Sequence, residues 1–148
     1  TLKRSVIKFF NFWQLEREVP AGLSRGYWGG LPPVAVWAIA LLICASYASG
    51  IWAAVFGAVM ASPSDRQTYV FILVVAGLVC AVHTIVFGHS RYHLPLMPLL
   101  LILAAAAVVN RRHIWEHRKS WRFALCTSAC AVLAASWVAQ ALIDKAQL

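Results

Sequence analysis

Four long apolar runs, separated by short polar or basic stretches, set the pattern of the chain. They lie at about residues 34–60, 68–87, 94–109 and 121–143. A hydrocarbon core of about 30 Å needs about 20 apolar residues in a helix, so these runs predict four transmembrane helices. The third is the shortest, and crosses only if it starts within Tyr92–His93 or sits in a locally thinned bilayer. Ahead of them, residues 1–14 put Leu2, Val6, Phe9, Phe10, Phe12 and Trp13 on one side at helical spacing, and Lys3, Arg4, Lys8 and Asn11 on the other. That pattern predicts an amphipathic helix lying in the interface, its aromatic face dipped toward the acyl chains. Residues 17–33 are punctuated by Pro20, Gly22, Gly26, Gly29, Gly30, Pro32 and Pro33, which predicts a loop with Tyr27 and Trp28 as interface anchors. The expected fold is an all-α integral membrane protein with an interfacial segment and loop over 1–32 and a four-helix transmembrane region over 33–148.

Composition agrees with this pattern. Of the 148 residues 61% are apolar and 12% charged, against about 45–50% and about 25% in soluble domains. A soluble catalytic fold has no room in such a chain. The net charge of +8 sits between apolar runs and forms no surface for nucleic acid; the bilayer and its anionic lipids are the expected partners, with other transmembrane helices or subunits. Close to span ends, Arg66, Arg111, Arg112, Arg118, Lys119 and Arg122 outweigh Arg17, Arg25, Arg91 and Lys145. The basic loop at 110–122 is therefore expected in the cytoplasm. The chain opens on Thr1 with no signal-peptide pattern, so an upstream part or processing is expected. Cys44, Cys80, Cys126 and Cys130 all lie in apolar runs, where small packing thiols are expected and a disulfide framework is not.

A few residues carry candidate chemistry. Ser46, Gly50, Ala54, Ala58 and Ser62 recur every fourth position in the first span, a small-residue stripe that lets another helix approach closely. His83 stands mid-membrane in VCAVHTIVF. It is either a ligand to a haem iron or chlorin magnesium, or a donor to a carbonyl of a neighbouring helix or to a Ser or Thr hydroxyl. His113 and His117 share a helix face beside Glu116, but four neighbouring cations argue against a metal there, and no metal site is expected. In GHSRYHLPLMP, residues 88–98, an arginine, a tyrosine and histidines meet a membrane boundary, with prolines in the first helical turn. Arg91 with Tyr92 and His93 suits a phosphate or pyrophosphate, because guanidinium offers a bidentate fork that stays charged. The alternative is snorkelling of Arg91 to the headgroups, with Tyr92 in the aromatic belt.

The run FGHSRYHLPLMPLLLILAAAAV, followed by a basic turn and a last apolar span, resembles the C-terminal membrane part of bacterial family 39 glycosyltransferases. These are GT-C enzymes related to dolichyl-phosphate-mannose protein mannosyltransferases and aminoarabinose lipid A transferases. NFWQLEREVPAGLSRGYWG is similar to the juxtamembrane segment before their final helices, so the resemblance covers most of the chain. It implies a polyprenyl-phosphate-linked sugar as donor, transfer at the outer face of the bacterial cytoplasmic membrane, and Arg91, Tyr92 and Pro95 as a lipid-phosphate contact. The family's catalytic carboxylate, in its first outward loop, has no counterpart among Glu16, Glu18, Asp65, Glu116 and Asp144. The resemblance therefore implies a C-terminal part without activity of its own. A second reading, from the small-residue stripe and the aromatic arm, is an accessory transmembrane subunit of a larger complex, one carrying pigment or haem if His83 is a ligand.

Overall fold

The computed structural model describes residues 2–15, 18–27, 29–61, 65–86 and 95–146. All regular structure among them is helical: α1 Leu2–Phe12, α2 Glu18–Ser24, α3 Pro33–Met60, α4 Arg66–Val86, α5 Met97–Val109, α6 Arg111–Glu116 and α7 Trp121–Ala146. Three helices, α3, α4 and α7, are long and apolar enough to cross a membrane. The third predicted span is the apolar helix α5, whose 13 residues reach only about 20 Å at 1.5 Å per residue. Residues 87–94, which precede it, lie outside the described residues. The expected loops also hold two short helices, α2 and α6, that the pattern did not announce.

The chain divides into two compact units, Thr1–Gln14 with Gly50–Leu148, and Leu15–Ser49. In the Leu15–Ser49 unit, α2 stops at a glycine turn. Gly26 takes φ +75°, its amide bonds Leu23 O, and the Tyr27 amide bonds Gly22 O. This pair of bonds closes a helix over a left-handed residue, a conformation that costs glycine nothing. Pro33 then opens α3, where the missing N–H is no loss. From there to Ser49 one face of α3 is exposed, including Val34, Trp37, Leu41, Leu42 and Ser46.

The larger unit packs the rest of α3 with α4, α5, α6 and α7 around two apolar clusters. In one, Ala54, Ile72, Leu103 and Ala104 bring α3, α4 and α5 together. In the other, Met60, Ala107, Ile114 and Cys126 join the end of α3 to the end of α5, to α6 and to the start of α7. Phe56 and Phe123 pack beside it with ring centroids 5.2 Å apart. A close approach falls at Gly57, where an added Cβ would overlap the Leu103 carbonyl oxygen and lie 3.3 Å from the Ala107 nitrogen. Tyr69 Oη donates to the Gly57 carbonyl at 2.7 Å. The contact face of α3 thus runs through Ile51, Ala54, Gly57 and Met60, every third position. The stripe of every fourth position lies obliquely to it: Ala54 is buried and Ala58 half-buried, while Gly50 meets no atom within 4 Å of an added Cβ. Ser46 is exposed, its carbonyl accepting from Ser49 Oγ, and Ser62 falls outside the described residues.

Several polar groups in the apolar helices bond back to a carbonyl of the preceding turn. Thr127 and Ser136 hydroxyls donate back to Phe123 O and Leu133 O, and Asn110 Nδ2 donates to Ala106 O. At the start of α4, Asp65 accepts from the amides of Gln67 and Thr68 and from the Thr68 hydroxyl, satisfying donors that the first turn leaves open. The Thr68 hydroxyl, with these amides, holds the exposed Asp65 carboxyl below the usual carboxylate range.

Candidate functional site

The amphipathic pattern of residues 1–14 forms α1, and its docking frames the site. Lys8 lies on the polar side, and its Nζ donates to Ile85 O and Val86 O at 2.9 and 3.0 Å. An ammonium there satisfies carbonyls at the C-terminus of α4 and complements the negative end of its dipole. Just past the end of α1, the Trp13 carbonyl accepts the indole N–H of Trp137 from α7 at 2.7 Å. The Trp137 ring in turn stacks on Trp52 of α3, with centroids 6.3 Å apart and planes within 16°. Phe12, fully buried, lies with its ring centroid 6.0 Å from that of His83. These anchors carry the aromatic face of α1 onto the bundle.

Phe9, Phe10 and Trp13 thereby contribute to a cavity of about 690 Å³. The other walls come from α3 at Ala54, α4 at Leu73 and Gly77, α5 at Leu103 and α7 at Val132, with Leu96 just before α5. Among the described residues of the lining, Cys80 and Ser128 bring the only thiol and hydroxyl and none is charged. The volume falls in the usual range of ligand pockets, about 300–1,000 Å³. Such a lining has no acid, base or nucleophile set. What it offers is favourable burial of hydrocarbon, about 25 cal/mol per Å² removed from water.

The sequence-predicted residues fall in different places. Arg91, Tyr92 and His93 lie outside the described residues, and so does Trp28. Leu96, five positions after Arg91, is buried and lines the cavity. His83 is half-buried and its Nδ1 lies 2.8 Å from the Val79 carbonyl of its own helix turn. A carbonyl only accepts, so this bond places the proton on Nδ1. His113, Glu116 and His117 do come together, on the exposed turn formed by α6 and its C-terminus. The four cysteines are free, with Cys126 and Cys130 buried as packing residues.

The cavity and its anchors were not foreseen from the pattern. Lys8 reads as one more interfacial cation, and Trp137 as an aromatic within an apolar run; only the folded arrangement gives each a carbonyl partner. No protein-family model, curated protein or solved structure matches the chain.

Proposed function

We propose that the chain is a membrane-embedded helical module that holds the hydrocarbon of a polyprenyl-phosphate-linked sugar. In this reading it is the C-terminal part of a family 39-type glycosyltransferase of the bacterial cytoplasmic membrane, with no catalytic group of its own. Its helices make four crossings, α1 lies at the interface, and loop 110–122 faces the cytoplasm. The observation that carries the reading is the uncharged apolar cavity of about 690 Å³ within a membrane-type bundle. Leu96 in its wall stands five residues after Arg91, so a lipid with its chain in the cavity has a guanidinium close in sequence for its phosphate.

The test is binding of a polyprenyl phosphate with a diazirine in its chain to the detergent-solubilised protein. Crosslinks are expected at Leu73, Leu100 and Leu103, which line the cavity, in preference to Phe71, Val74 and Leu78 on the exposed side of α4. Gly77 lines the cavity and has open space around it, so Gly77→Trp fills the cavity and should abolish this labelling without loss of helicity. Arg91→Ala should weaken the phosphate but not the corresponding alcohol. Labelling spread evenly over both faces, indifferent to Gly77→Trp, would remove the lipid reading.

One observation favours a second reading, an accessory subunit. The exposed face of α3 between Val34 and Ser49 includes the small residues Ala38, Ala45, Ser46 and Ser49 beside Trp37, Leu41 and Leu42, as a partner helix requires. Copurification of a stoichiometric membrane protein in mild detergent, lost on Ser46→Leu, would support it. A Soret band in that complex, lost or shifted in His83→Ala, would assign His83 as a haem ligand.

A further inference from the structure

The turn between α5 and α7 carries three side chains whose chemistry the lipid reading does not use. One ligating atom each from His113, Glu116 and His117 lies within 4.8 Å of the others, and all three side chains are exposed. The two imidazole centroids are 4.2 Å apart. This proximity follows from the helix: positions three and four apart share a face.

The electronic arrangement also suits an ion. His117 Nδ1 lies 2.9 Å from the His113 carbonyl. A carbonyl only accepts, so this bond places the proton on Nδ1 and leaves Nε2 as the ligating nitrogen, the tautomer that metal-bound histidines adopt when a carbonyl accepts from the other nitrogen. Glu116 supplies a carboxylate oxygen beside two imidazole nitrogens. Of the neighbouring cations that weigh against this, Arg111, Arg112, Arg118 and Lys119, one packs on a ring, as does Arg122 further along. The Arg118 guanidinium sits 5.1 Å from the centre of the Trp115 ring, and that of Arg122 5.9 Å from Trp121, both within cation–π range.

We propose that His113, Glu116 and His117 form a binding site for a borderline-soft divalent transition ion, Zn²⁺ in particular, with water completing the coordination. Imidazole and carboxylate donors select such an ion over Mg²⁺, which prefers oxygen ligands. Tetrahedral zinc with bonds of about 2.0–2.2 Å holds its donors roughly 3.3–3.5 Å apart.

The experiment is calorimetric titration of the detergent-solubilised protein with Zn²⁺, repeated with Co²⁺ to read the d–d absorption of the bound ion. One equivalent is expected, undisturbed by millimolar Mg²⁺. His113→Ala and His117→Ala should each weaken Zn²⁺ by about tenfold or more, and Glu116→Gln by less, with helicity unchanged because all three side chains are exposed. In H113A/H117A the cobalt absorption should vanish. Zn²⁺ binding that persists at full strength in that double variant belongs to the thiols and overturns the proposal, as does a wild-type protein that takes up no ion.

Discussion

Gly57 brings α3 and α5 close together because it lacks a methyl group. The α3 and α5 backbones meet there, with the Leu103 carbonyl where a Cβ would stand. Close backbone approach at a small residue is the main packing device where lipid is as apolar as the interface. Gly57→Ala must push α5 away or bend α3, an overpacking cost of about 1–3 kcal/mol. Gly50→Ala, where an added Cβ meets nothing within 4 Å, should be neutral or stabilise by about 0.5–1 kcal/mol through helix propensity. Thermal unfolding in detergent separates them: a lowered midpoint is expected for the first variant only, and equal midpoints would sink the assignment of the contact. The sequence presents Ser46, Gly50, Ala54, Ala58 and, one position off, Gly57 on a helix apolar all round. Nothing in that pattern ranks one small-residue line above another, since the choice depends on what α5 and Tyr69 bring to it. For His83 the expected carbonyl belonged to a neighbouring helix, whereas Nδ1 lies 2.8 Å from Val79 O of its own helix, because a polar side chain in a helix has its i−4 carbonyl within reach.

At the scale of elements, the long helices were written plainly because charge-free runs leave the backbone no solvent partner and helix formation satisfies it internally. The observed α3, α4 and α7 start and end within a few residues of the expected spans. Both short helices escaped for compositional reasons. Pro20 and Gly22 read as loop punctuation although a proline in a first turn costs no hydrogen bond, and the RRHIWE stretch of α6 reads as a solvated basic loop although Ile114 is buried against Met60 and Cys126. The amphipathic arm was visible as a helix, but its attachment was not. Periodicity places Lys8 on the polar face without saying that the α4 carbonyls lie opposite. That attachment is testable at its other anchor. Trp137→Phe keeps the apolar ring and deletes the bond to Trp13 O, worth about 0.5–1.5 kcal/mol. Amide exchange should accelerate in α1 while the α3 and α5 amides around Gly57 stay protected. Unchanged exchange in α1 would mean that the indole bond does not hold the arm.

The whole molecule turns on whether α5 counts as a crossing. At about 20 Å it is shorter than a bilayer core of about 30 Å, yet its contacts place it as a full member of the larger unit. Tyr69 near the start of α4 reaches Gly57 late in α3. Ala107 late in α5 and Ile114 in α6 cluster with Met60, and Phe123 early in α7 packs on Phe56. The turns after α3 and after α5 therefore share one end of this unit. At the other end, Lys8 meets the last carbonyls of α4, and Trp137, late in α7, meets Trp13. In the proposed reading these helices alternate between two ends and cross four times, the short one by thinning the bilayer locally. Four crossings put the turns at 61–65 and 110–120 on the same side of the membrane, whereas three would put them on opposite sides. Single cysteines at the exposed positions Gln67 and Lys119 read this directly, with the native thiols inside α3, α4 and α7 as background. An impermeant maleimide should label Gln67→Cys and Lys119→Cys together in inside-out vesicles and neither in right-side-out ones, as the concentration of Arg and Lys in the second turn requires. Labelling on opposite sides would reduce α5 to a re-entrant helix; joint labelling from outside would keep the four crossings and invert the orientation, exposing the His113–Glu116–His117 turn to the external ion pool.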